Sequence, residues 1–238
     1  PPAVSSTPAN EQGWYAGLSI RPARGWKLDL SADQCNFPWL RYRVDAPSHA
    51  FSWEARFQYT ESHRLDLYLR YRYKSRPLNA PGEPMDPLSE VAWQAQHNIR
   101  FEIRQVFTRQ VNVQVRSEWI HYRHTAGTVA EQGFLWLIQG NYRSSRSWKA
   151  SARIQYFETA SYASRLYAFE SDVLYSYSIP AFYGRGMRAY LNLSANPGRR
   201  RLSGTGRSGK LRIWLKLARS LPLGSAGSEG PGQAEIKG

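Results

Sequence analysis

The sequence predicts an all-β protein: an antiparallel, up-and-down transmembrane β-barrel of about twelve to fourteen strands. Three observations predict it. Apolar and charged residues alternate through Arg64–Lys74, RLDLYLRYRYK, with Leu65, Leu67, Leu69, Tyr71 and Tyr73 on one parity. Arg64, Asp66, Tyr68, Arg70, Arg72 and Lys74 occupy the other. Successive side chains of a strand point to opposite faces, so this is a long strand with one apolar and one charged face. The links between such stretches alternate short and long, the rhythm of tight turns on one rim and longer loops on the other. No window approaches the roughly 18–20 unbroken apolar residues of a transmembrane helix. A membrane protein of this kind crosses as a closed barrel, which alone satisfies strand backbones in lipid.

The elements follow in order. Residues 1–12 form a polar, proline-rich lead. Trp14, Ala16, Leu18 and Ile20 alternate with small or polar residues, and Arg21–Gly25 turns the chain. Trp26, Leu28 and Leu30 alternate with Lys27, Asp29 and Ser31, and Asp33–Ala50 is expected as a long loop. Phe51, Trp53, Ala55, Phe57 and Tyr59 oppose Ser52, Glu54, Arg56 and Gln58, and a short turn at Glu61–His63 leads into Arg64–Lys74. After a second long loop, Ser75–Gln96, Ile99, Phe101 and Ile103 face away from Arg100, Glu102 and Arg104. Past a tight turn, Val111, Val113 and Val115 oppose Asn112, Gln114 and Arg116. A loop near Thr125–Glu131 precedes a hairpin, Phe134–Tyr142 and Trp148–Tyr156, turned at Arg143–Arg146.

The C-terminal third predicts strands at Leu166–Glu170 and Val173–Ile179, a loop at Pro180–Gly186, and strands at Met187–Ser194 and Lys210–Arg219. The last two are joined by a long basic segment, Asn196–Gly209. Gly224–Gly232 reads as a loop, and Ala234–Lys237 as a strand barely begun. Bacterial barrels keep both ends and their short turns on the periplasmic side. Here the first short turn follows the first strand, which is the opposite parity. A strand before Pro1 and completion of one after Lys237 restore it, so residues 1–238 are expected as one barrel domain lacking its first strand and most of its last.

The chain has 238 residues, 14% of them aromatic, with 32 Lys and Arg against 18 Asp and Glu, a net charge of +14. That excess calls for an anionic partner or for a reason to concentrate cations. Cys35 stands alone, which excludes a disulfide framework and a cysteine metal site.

Arg153–Leu193, RIQYFETASYASRLYAFESDVLYSYSIPAFYGRGMRAYLNL, resembles the barrel region of helix-hairpin-helix-containing outer-membrane proteins of the Bacteroidetes group. The similarity extends from Gly13 to Lys237, and LYAFESDVLYSYSIPAFYGRG is its most specific part. The resemblance implies a bacterial outer-membrane barrel. In that family helix-hairpin-helix repeats precede the barrel and a complete aromatic-rich strand ends it. This sequence carries neither, in keeping with a fragment, and the family offers no catalytic residues to transfer.

Motifs for chemistry are sparse. Gly204–Lys210, GTGRSGK, matches half of a phosphate-binding P-loop, but Leu211 stands where Ser or Thr must hold magnesium, and it opens a strand rather than a helix. His121 and His124, with Glu118 nearby, fall on opposite faces of a strand, so joint metal ligation needs a bend. No G-x-S-x-G elbow is present to build a serine hydrolase. No enzyme activity and no cofactor are expected. Arg199, Arg200, Arg201 and Arg207 form a basic loop that suits phosphates, whether of nucleic acid, lipid head groups or lipopolysaccharide.

The strongest constellation is the polar parity. It gathers Lys27, Arg56, Arg64, Arg70, Arg72, Lys74, Arg100, Arg104, Arg116, Lys149, Arg153, Arg188, Arg212 and Lys216, against the acids Asp29, Glu54, Asp66, Glu102 and Glu118. With the apolar parity on lipid, these residues line the lumen. Either they pair with one another in a filled interior, or they make an anion-attracting pore, because rings of Arg and Lys focus field in a narrow channel. A soluble sandwich shows equal alternation but buries the apolar parity and wets the charged one. The expected function is a non-enzymatic outer-membrane protein, an anion-preferring pore or an assembly scaffold, in contact with the bilayer and lipopolysaccharide. The alternative is the barrel anchor of a DNA-handling envelope protein.

Overall fold

The computed structural model describes residues 10–79, 91–124, 130–144, 148–170, 179–195, 199–201, 208–210 and 213–223. The chain folds as one long antiparallel sheet, with no helix among these residues. Its strands are β1 (Gln12–Ile20), β2 (Trp26–Phe37), β3 (Ser48–Glu61), β4 (Leu65–Asn79), β5 (Val91–Val106), β6 (Val111–His124), β7 (Glu131–Arg143) and β8 (Trp148–Thr159). Two short pieces, β9 (Leu166–Tyr167) and β10 (Ala181–Phe182), precede β11 (Arg185–Ala195). Then come β12 (Arg199–Arg201), β13 (Ser208–Lys210) and β14 (Ile213–Pro222). Ten strands make the sheet in the order β1-β2-β3-β4-β5-β6-β7-β8-β11-β14, each paired antiparallel with the next. Among the described residues β1 and β14 each have one partner.

Tight links at 21–25, 62–64, 107–110 and 144–147 share one rim, and the longer links 38–47, 80–90 and 125–130 share the other. The first tight link closes on Gly25, whose φ of +84° suits a residue without a side chain and whose carbonyl accepts from the Thr60 amide at 2.8 Å. Several strands outrun their expected ends. β2 reaches Phe37, β4 reaches Asn79 and β5 begins at Val91, so part of each expected long loop is ladder.

One face of the sheet is apolar and exposed, the other polar and more buried. On β7, Phe134, Trp136 and Ile138 are exposed while Gly133, Leu135, Leu137 and Gln139 alternate with them as buried residues. The apolar parity behaves likewise on other strands: Leu69, Ile99, Phe101, Ile154, Leu191 and Leu217 are all exposed. A single cavity of about 640 Å³ is lined by side chains from β4 (Asp66) through β11 (Asn192). Strands lie about 4.8 Å apart, so a flat sheet keeps those two strands far from one pocket. The sheet therefore curls toward its polar face.

The C-terminal third departs from expectation. Leu166–Glu170 is not a wall strand; β8 pairs directly with β11, from Glu158 opposite Arg185 to Trp148 opposite Ala195. Instead Leu166–Tyr167 pairs with Ala181–Phe182 as a two-stranded scrap, so Pro180–Gly186 is not a simple loop either. Of the expected strand Val173–Ile179, residues 173–178 lie outside the described residues, as does Ala234–Lys237. Leu166–Glu170 and Ala181–Phe182 fold over the polar face. Leu166, Ala168 and Phe182 bury themselves against Ile120, Leu135 and Leu137 of the sheet, with Phe157 beside them. Gly133 of β7 admits this packing, because a Cβ there would run into the Ser164 carbonyl and the Ile120 side chain. The expected basic loop Asn196–Gly209 contains a ladder too, Arg199–Arg201 against Ser208–Lys210. It follows Ala195, the partner of Trp148, and so lies on the tight-turn rim.

Candidate functional site: the ionic lining of the polar face

Register turns the polar parity into rows. Asp29, Arg56, Arg70, Arg100 and Glu118 stand directly opposite one another on five successive strands, β2 to β6. Three adjacent arginines in such a row repel. The repulsion is relieved by carboxylates. Glu118, 3% exposed, accepts a forked pair of bonds from Arg100 Nε and Nη2, both at 3.0 Å, and is also bonded by Arg116. Arg70 Nη2 lies 3.5 Å from Glu118, and the Asn98 amide donates to Glu118 at 2.8 Å while its oxygen accepts from Arg70 at 2.8 Å. Glu54 pairs with both Arg56 and Arg72. One carboxylate thus organises three guanidinium groups, and a second holds two more.

A third centre anchors the inward-folded segment. Glu170, fully buried, accepts from Arg188 Nε at 2.7 Å and Nη2 at 3.0 Å and from Gln155 at 3.4 Å, with Lys216 Nζ 3.6 Å away. Two wall arginines hold the same segment by its backbone: Arg116 donates to the Tyr167 carbonyl at 2.9 Å and Arg153 to the Phe169 carbonyl at 2.5 Å. Gln139 fixes Arg153 from below, accepting from its Nε at 2.8 Å and from the Tyr190 hydroxyl at 3.2 Å. Charge-assisted bonds to backbone carbonyls take the place of a strand ladder here.

The expected lining is thus brought together in part. Arg56, Arg70, Arg72, Arg100, Arg116 and Arg153 converge with Glu54 and Glu118 on the polar face. Asp66 and Glu102 do not serve as their counter-charges: Glu102 accepts from Gln114 at 2.7 Å, and Asp66 forms no ion pair among the described residues, although Arg104 stands opposite it. Arg104 and Lys149 are exposed near the tight-turn rim rather than in the buried network. Arg207 and Arg212 lie outside the described residues, and Arg199, Arg200 and Arg201 are described as backbone ladder only. Of GTGRSGK, Ser208–Lys210 is strand and the preceding residues lie outside the described set.

His121 faces the apolar side, across the ladder from His97. It stacks on Trp119 with ring centroids 5.7 Å apart, while His97 Nδ1 lies 2.7 Å from the Tyr71 hydroxyl. The two histidines continue an aromatic row that includes the Trp53–Tyr71 pair, at 4.8 Å. Among the described residues no three His, Cys, Asp or Glu side chains gather as a cation site.

Sequence reasoning missed Glu170 and the neutral residues Asn98, Gln139, Gln155 and Tyr190. A signal for Glu170 exists. In LYAFE, Leu166 and Ala168 share parity with the acid while Tyr167 and Phe169 occupy the other, so neither face is the arginine-rich one that strands such as β4 and β5 present. No family model matches this chain, and no curated protein matches it.

Proposed function

We propose that this chain forms the wall of a non-enzymatic outer-membrane β-barrel, with the ionic face inward as a cation-rich interior narrowed by the segment between β8 and β11. One observation carries the reading: burial is inverted. Arg116, Glu118, Arg153, Gln155 and Glu170 are nearly or wholly buried, while Ile154 is 49% and Leu217 58% exposed. In water such an arrangement wets its apolar face and desolvates its charges, each at a cost. In a bilayer the apolar face meets lipid and the polar face encloses water, which is the arrangement of membrane barrels. The same observation argues against a soluble sandwich, which hides the parity left open here. The short-and-long link rhythm and the resemblance to outer-membrane barrels support the same location, with the bilayer and lipopolysaccharide as neighbours.

Inside, cations exceed acids and water or anions must screen the surplus, so whatever passes is expected to be anionic. The protein purified in detergent should migrate faster on a gel unheated than boiled, and in planar bilayers under a salt gradient its reversal potential should have the sign of anion preference. Solubility as a monomer without detergent overturns the barrel; cation selectivity overturns the inward assignment of the arginines.

A further inference from the structure

Carboxylates neutralise some of the cations on the polar face and leave others, those near the tight-turn rim among them, without an ion pair among the described residues. The deep arginines share Glu54, Glu118 and Glu170, as described. Near the tight-turn rim, Arg143 and Lys149 stand directly opposite each other across the β7–β8 ladder, both on the inward parity. Among the described residues neither has an ion-pair partner, and like charges so placed repel. Arg104, on β5, is likewise without an ion pair among them. All three line the cavity of about 640 Å³, together with His63 and one acid, Asp66. That volume falls in the range of small-ligand pockets, roughly 300–1,000 Å³. Three basic side chains against one carboxylate leave a surplus of about two charges in this space. Asn192 and Ser194 of β11 add neutral hydrogen-bonding groups to the wall.

We propose that this rim cavity is a binding site for a small, multiply charged oxyanion, a phosphate ester or diphosphate. Guanidinium forks match phosphate oxygens two at a time, and a ligand of two to three negative charges balances the surplus. The site lies on the polar face of the sheet, whereas lipid head groups abut the opposite, apolar face, so the ligand is a soluble one. The proposal deepens the reading of the interior as anion-preferring and rests on that face being enclosed, not on conduction.

Inorganic pyrophosphate titrated into the detergent-solubilised protein, followed by isothermal calorimetry at low and moderate salt, tests it. The wild-type chain should bind one pyrophosphate. The double variant R104Q/K149Q should bind at least tenfold more weakly. The double variant R76Q/R123Q removes the same charge from exposed residues at the long-link rim and should stay within twofold of wild type. Asp66→Asn, which leaves every cation in place, should tighten binding about threefold, and this arm stands even where R104Q/K149Q does not fold. Equal losses in the two double variants mean attraction to net charge alone and overturn the site. So does an unchanged affinity in R104Q/K149Q or in Asp66→Asn. Failed binding together with an anion-preferring reversal potential overturns the cavity alone; a protein soluble without detergent that still binds pyrophosphate overturns the membrane reading alone.

Discussion

Glu118 shows what a single residue does on the polar face. Its carboxylate is the common partner of Arg70, Arg100 and Arg116, and its side chain is 4% exposed. Removing one member of a buried ion pair strands the others, typically at about 3–5 kcal/mol, because uncompensated charge remains out of water. Glu118→Gln keeps the shape, but its NH2 cannot accept, so two of the four hydrogen bonds are lost and three guanidinium groups are left facing one another. It should lower unfolding stability by about 3–5 kcal/mol in a denaturant titration in detergent followed by tryptophan fluorescence. Glu54→Gln should cost less, since its partners Arg56 and Arg72 have side chains 47% and 33% exposed and water can take over. Parity in the sequence was enough to place Glu118, Glu54 and their arginines on one face, because alternation is a local property of an extended chain. Which acid meets which arginine was not legible. That depends on register, set by the turns and by strand lengths that run past the last alternating residue, as at Phe37 and Asn79.

At the scale of elements, the segment between β8 and β11 is the part that alternation alone misread. Leu166–Glu170 was expected as a strand because its residues suit an extended chain, but a stretch with apolar residues on both parities lacks the separate polar face that strands such as β4 and β5 present. It is held to the sheet by arginines and packs its apolar side on β6 and β7. Leu135 and Leu137 are correspondingly apolar on a parity that is polar elsewhere, the mark on the wall of what covers it. Gly133 is the closest point of approach, so a side chain there competes directly with the Ser164 carbonyl. Gly133→Val should therefore lift the segment while leaving the sheet intact. With Cys35 replaced by Ser, a cysteine placed by Ser164→Cys should be almost unreactive toward a polar maleimide in the parent, where Ser164 is fully buried, and react at least tenfold faster when Gly133→Val is added. An equally slow reaction in both shows that the segment does not depend on this contact. Glu170→Gln weakens the same attachment at its other end and should act in the same direction, through loss of the charge-assisted bonds from Arg188.

On the whole molecule, the open apolar face carries two rows of aromatic side chains. One lies toward the tight-turn rim, where Trp26 packs on Tyr59 at 4.3 Å and Tyr142 on Trp148 at 4.7 Å. The other crosses β3 to β6 through Trp53, Tyr71, Tyr73 and His97, with Tyr73 and His97 at 4.9 Å. Along β3 the rows are marked by Tyr59 and Trp53, a separation of about 20 Å at the rise of a strand. Membrane barrels carry an apolar band about 25 Å tall between two aromatic girdles. Strands tilted by about 40° turn that separation into about 15 Å of height, so the rows mark part of such a band. Leu69 and Ile99 stand between the rows, 44% and 38% exposed. If this face meets lipid, Leu69→Arg or Ile99→Arg puts a cation near mid-bilayer and should cost about 2–4 kcal/mol when the protein is folded into lipid vesicles. The same change at Leu65, which pairs with Glu61 beyond the first row, should cost about 0–1 kcal/mol. A soluble sheet predicts otherwise: an exposed surface residue changed to arginine usually alters stability by no more than about 0.5 kcal/mol, whatever its height. Unfolding of the three variants from vesicles therefore separates the two readings by a gradient rather than a single value. A cost that peaks at Leu69 and Ile99 and fades at Leu65 places the bilayer core at the level of Leu69 and Ile99; a flat profile near zero removes the membrane from this face.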